Sequence, residues 1–112
     1  MHDANALRDD SILLLRWVRD GSEEAFAELV HGYERLVLGA ALRRTGDAEL
    51  ARDVAQQVFA TLATKARLLI GRKNLAGWLY CAASHIAARA AQRETRLRRK
   101  QEALGESAQA NL

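Results

Sequence analysis

Residues 74–100 read NLAGWLYCAASHIAARAAQRETRLRRK, and this stretch changes character midway. Asn74 has a side-chain oxygen able to accept from the unpaired amides that open a helix. Leu75, Leu79, Ala82, Ala83, Ile86 and Ala90 then recur at steps of three and four, which gives one helical face that needs a core. Trp78 and Tyr80 flank that face with large rings that carry a polar edge. From Arg89 onward the stretch turns cationic, with Arg89, Arg93, Arg96, Arg98, Arg99 and Lys100 against a single Glu94. One end of this helix is made to enter a domain. The other offers guanidinium groups to an anion, and nucleic acid is the anion such a pattern suits best.

The rest of the chain agrees with helices. At 112 residues it is sized for one core, and with no proline it meets no obligatory helix break. Alanine, leucine and arginine dominate, and no β-branched alternation appears, so we expect an all-α fold. The net charge of +3 is modest but unevenly placed, because residues 67–100 hold the excess. Charge placed in that way steers a polyanion to one surface. From charge alone, a merely solvated basic face is an equal reading.

Working outward, four helices are expected. The first spans about residues 10–20, with Leu13, Leu14 and Trp17 on one side and Gly21 just past its end. Ser22 is a natural cap for the second, and Glu23 and Glu24 suit the positive end of its dipole. Phe26, Leu29, Val30, Tyr33, Leu36, Val37 and Ala41 carry its apolar face to about residue 44. Gly46 closes that helix and Asp47 caps the third, whose stripe is Leu50, Ala51, Val54, Val58 and Leu62, widened by Ala55 and Phe59. Residues 64–73 read as looser, and residues 105–111 as a frayed tail or the beginning of a linker.

Enzymatic chemistry finds no support. His2, His31 and His85 are scattered, and no cysteine or carboxylate joins them at metal-ligand spacing. No glycine-rich loop between a strand and a helix is present to cradle a phosphate. Hence neither catalysis nor a cofactor is expected, and His85 by itself reads as a partly buried helix residue. Cys81, the only cysteine, lies among Leu79, Ala82 and Ala83 and reads as a small buried thiol. No signal peptide and no membrane span can be read, so a cytoplasmic protein is expected. On the third helix Asp53, Gln56, Gln57 and Ala60 share a side next to the apolar stripe. A carboxylate and amides beside apolar contacts suit a protein partner that carries arginines, although a plain solvent face is an equal reading.

Three blocks of the sequence then come together. The first is Asp20-Gly21-Ser22-Glu23-Glu24-Ala25-Phe26 with Leu29 and Tyr33. The second is Gly46-Asp47 with Ala51-Arg52-Asp53-Val54-Ala55-Gln56-Gln57-Val58-Phe59. The third is Leu75-Ala76-Gly77-Trp78-Leu79-Tyr80, with the helix that runs on to Arg93 and residues 96–100. In this order and spacing they resemble region 2 of bacterial RNA polymerase sigma factors, the extracytoplasmic-function group in particular. The resemblance covers about residues 10–103. It implies a compact orthogonal bundle of four helices, with a region 2 domain at residues 1–104 and a tail or linker start at residues 105–112.

The resemblance also implies roles. The helix from Asp47 to Leu62 matches the one that docks on the coiled coil of the polymerase β′ subunit, so Asp53, Gln56 and Gln57 inherit that contact. The loop before Trp78 and the helix after it match the elements that read the promoter −10 element and hold its non-template strand. Arg67, Arg72, Lys73, Asn74, Trp78, His85, Arg89, Arg93 and Arg96 inherit that part. The physics is compatible: a cationic groove with an aromatic edge holds single strands, stacking adding about 1–3 kcal/mol per base. An anti-sigma factor is an open addition to the expected partners.

The sequence departs from the family pattern in places. Arg52 stands where many members have Glu, and His85 where many have Asn, which affects the acidity of the docking helix and the base preference respectively. The second, −35-reading domain of this group is missing from residues 1–112, and the tail from Gly105 leads us to expect a truncated chain. The competing reading is a helical protein-interaction module whose arginines only solubilise it.

Overall fold

The helix starts at Ser22, Asp47 and Asn74 and the helix ends at Gly21 and Gly46 fall where the sequence supplies a polar cap or a permissive glycine. The computed structural model describes residues 4–72 and 74–110, with side chains from Asp9 onward. Among the described residues the regular elements are four helices: α1 Ala4–Asp20, α2 Glu23–Thr45, α3 Ala48–Leu69 and α4 Leu75–Ala110. At the start of α2 the Ser22 hydroxyl accepts from the Ala25 N–H at 3.2 Å, with Glu23 and Glu24 in the first turn. Its end turns on Gly46, whose φ of 64° falls in the left-handed region, and whose N–H donates to the Leu42 carbonyl at 2.8 Å. Asp47 then accepts from the Glu49 and Leu50 amides, at 3.0 and 3.2 Å, and α3 begins. Two residues suffice to reverse the chain.

The apolar stripes meet in one core. Leu14, Leu29, Val37, Val54, Val58, Leu62 and Leu79 are its largest fully buried side chains, drawn from all four helices. Phe26, Tyr33, Trp78 and Ile86 pack against it half-buried. Ala25, Ala40, Ala66 and Ala87 are also buried, although the sequence reading did not select them. Small side chains let neighbouring helices approach closely where they are buried between them. Polar ties fix α1 in place. The Trp17 indole N–H donates to the Ala63 carbonyl of α3 at 3.0 Å, and the Tyr33 hydroxyl of α2 donates to the Asp10 carboxylate. Burial raises the Tyr33 pKa well above its ordinary value, and the bond to Asp10 and that group's charge raise it further.

Several expectations are corrected. Helix α1 starts at Ala4 rather than near residue 10, because nothing in the preceding residues breaks a helix. The segment expected to be loose is mostly the last turns of α3. Ala66 and Leu69 are buried there and hold it in helical form until Gly71, at φ 81°, turns the chain. Helix α4 continues to Ala110, exposed from Arg96 onward, where fraying was expected past Leu104. An interior glycine such as Gly105 costs a helix only about 1 kcal/mol relative to alanine, which its neighbours tolerate. Cys81 is exposed, not buried. Its neighbours in sequence line the core, but at 100° per residue it falls on the opposite side of α4.

Because α4 outruns the other three helices, the molecule measures 66 × 30 × 19 Å. No helix among the described residues is long and apolar enough to cross a membrane.

Candidate nucleic-acid interface

The loop between α3 and α4 is short and held at both ends. The Arg72 N–H donates to the Leu69 carbonyl at 3.1 Å, and the Asn74 side-chain oxygen accepts from the Gly77 N–H at 2.8 Å. Asn74 therefore caps α4, as its position suggested. A Cβ at Gly77 would stand 2.6 Å from the Asn74 Nδ2, so the glycine makes room for that cap. With its oxygen engaged, Asn74 keeps an exposed amide NH₂, a pair of donors for a base edge or a phosphate.

Helical geometry brings the remaining candidates together. At 100° per residue, Trp78, His85, Arg89, Arg93 and Arg96 lie within an arc of about 80° on α4. Trp78 is half-buried at the start of this line, and the other four are exposed. His85 is thus a surface group, not the partly buried one that composition suggested. Arg93 lies nearly in line with Leu75 and Leu79, yet it is exposed, and at its level the α2–α3 turn faces α4 on the side of Ala91 and Thr95 instead. The line runs from an aromatic anchor to cations that have no ion-pair partner among the described residues.

Arg67 belongs to the last turn of α3 rather than to a loop, and Arg72 is exposed at the turn itself. Lys73 lies outside the described residues. Beside Arg67, a shallow hollow of about 480 Å³ is lined by Trp17, Thr64 and Leu68 among others. Leu68 is 70% exposed there, which is unusual for a large apolar side chain. The sequence reading missed Trp17 and Leu68. The available signal was a leucine next to Arg67 that fits no buried stripe. A second trough, about 370 Å³ along α4, adds Gln92 and Arg99 next to Arg96. Aromatic edge, apolar wall and cations are the components that receive single strands.

The protein-facing candidates are elsewhere. Asp53, Gln56, Gln57 and Ala60 are all exposed and share one face of α3. From Asp53 to Arg67 the rise along α3 is about 21 Å, so the two candidate surfaces occupy opposite ends of one helix. Tyr80, on the far flank of α4, meets the Arg43 guanidinium 5.8 Å from its ring centre and stands apart from both.

Comparison with protein families matches residues 29–100 to the one described as Sigma-70 region 2. Neither the curated proteins nor the solved structures include a match to the chain.

Proposed function

The chain belongs to the Sigma-70 region 2 family, and from that premise we propose that it is the −10-reading domain of an extracytoplasmic-function sigma factor. Domains of this family bind RNA polymerase and recognise the promoter −10 element, and the family is not an enzymatic one. In this reading α3 docks on the coiled coil of the β′ subunit through Asp53, Gln56 and Gln57. Arg72, Lys73 and Asn74, with Trp78 and His85, receive bases of the non-template strand. Arg89, Arg93 and Arg96 hold phosphates further along, with Arg67 supporting the strand from α3.

The observation that carries this reading is the single line on α4. A ring anchored against the core opens it, an exposed histidine follows, and exposed arginines continue along the same side of the helix. Phosphate contacts position a nucleic acid, and base contacts specify it, so the two ends of the line have different tasks. Strand separation takes a few kcal/mol per extruded base, which polymerase binding helps to supply.

The experiment is a salt titration of −10 DNA binding by the chain in complex with core polymerase. Affinity should fall steeply with salt, and Arg93→Ala or Arg96→Ala should each lower the slope by roughly one phosphate contact. A protein-interaction module with a solubilising tail would show neither effect.

A further inference from the structure

A groove of about 390 Å³ runs between α2 and α3, separate from the α4 line. Ala55 and Phe59 form its floor, only 7% and 9% exposed, and half-buried Val30 and Leu38 complete its apolar lining. Its rim is charged and exposed: Glu34 comes from α2, Arg52 from α3, and Gln56 stands beside Arg52. Gln56 also belongs to the exposed face formed with Asp53 and Gln57. Groove and face are therefore one continuous surface, apolar in the middle and polar at the edge. That is the anatomy of a protein contact, not of a nucleic-acid one.

We propose that this groove takes one apolar side chain from the same polymerase helix that contacts Asp53 and Gln57, and that Arg52 pairs with an acidic group beside it. The inference rests on the polymerase reading above. The groove's apolar lining suits a leucine, methionine or phenylalanine. Opposite charges on the two rims prescribe what flanks that residue: a cation toward Glu34 and a carboxylate toward Arg52. Arg52 is the specificity-determining residue of the contact. A partner helix with two cations here would meet Arg52 as a like charge and be rejected.

The test measures binding of the purified β′ coiled-coil fragment to the 112-residue chain and to variants whose helicity is verified. Ala55→Leu fills the groove and should weaken binding at least tenfold. Arg52→Glu reverses one rim charge and should weaken it several-fold; because Arg52 is exposed, this variant stays informative should Ala55→Leu fail to fold. A cation-to-acid change on the fragment should not restore Arg52→Glu, whereas an acid-to-cation change should. If Asp53→Ala with Gln56→Ala loses binding while Arg52→Glu and folded Ala55→Leu bind like the parent, the groove is empty in the complex and the inference is overturned. If all variants bind like the parent, the polymerase reading itself falls.

Discussion

Asn74 and Gly77 form the smallest unit on which the interface depends. Removing the cap by Asn74→Ala should cost about 0.5–2 kcal/mol of stability. Gly77→Ala should not give the usual helix gain of about 1 kcal/mol, because its Cβ displaces the capping side chain. In an Asn74→Ala background, with no cap left to displace, the same Gly77→Ala change should stabilise. Denaturant melts of the four proteins decide it, and equal stabilisation by Gly77→Ala in both backgrounds would contradict the account. Tyr33 gives a second test at this scale. Its bond to Asp10 ties α1 to α2, so Tyr33→Phe should cost about 1–2 kcal/mol. Its pKa is raised in the folded state, so its contribution is fully present below the unfolded value of about 10 and is lost as pH rises beyond it. Stability of the parent should therefore fall above about pH 10, and Tyr33→Phe should flatten that fall. A parallel decline in both proteins, read by thermal melts across pH, would remove the assignment.

At the scale of helices, the core residues differ in what they should cost. Leu79 is fully buried, and Phe26 is half-buried against the Trp17 ring at a centroid distance of 4.9 Å. Both truncations to Ala should fall within about 2–5 kcal/mol, with Leu79 the more damaging. Thermal melts that match the parent would mean the helix phases are wrong. Those phases were legible because 3.6-residue periodicity and cap chemistry are local properties. Ser22, Gly46, Asp47 and Asn74 all act where their residue types suggest. What depends on the relation between helices was not legible. How completely neighbours cover Ala25, Ala40 and Ala87 is one such property, whereas the exposure of Cys81 follows from helix rotation alone and was readable. The extent of α4 was also hidden, since Gly105 signals an end that surrounding helix formers override. For the proposed docking face of α3, replacing Asp53 and Gln56 with Ala should lower affinity for the β′ coiled coil roughly ten- to hundredfold, the loss of a charge-assisted bond of about 1.5–3 kcal/mol. A pull-down with unchanged capture by the folded double mutant would sink that face.

Across the whole molecule, the proposed function has α3 present a protein-facing surface around Asp53 and a DNA-facing one near Arg67, with α4 extending the DNA-facing line to Arg96. The residues of the α4 line were nameable from the sequence, because a run of arginines after an aromatic helix start is a local signal. Their alignment follows from helical periodicity alone, whereas the hollow that Trp17 and Leu68 add beside Arg67 needed the packing of α1 against α3. The proposed function divides the work: Asn74 and His85 would choose bases, and Arg93 and Arg96 would hold backbone. The central measurement is binding of the chain, in complex with core polymerase, to a library of non-template −10 oligonucleotides, each extended into adjoining duplex. Changing Asn74 or His85 to Ala should alter which bases are preferred, by about 1–3 kcal/mol per base. Changing Arg93 or Arg96 to Ala should weaken all sequences alike and leave their ranking intact. Arginine variants that reorder the library, together with Asn74 and His85 variants that only lower affinity uniformly, would contradict the account.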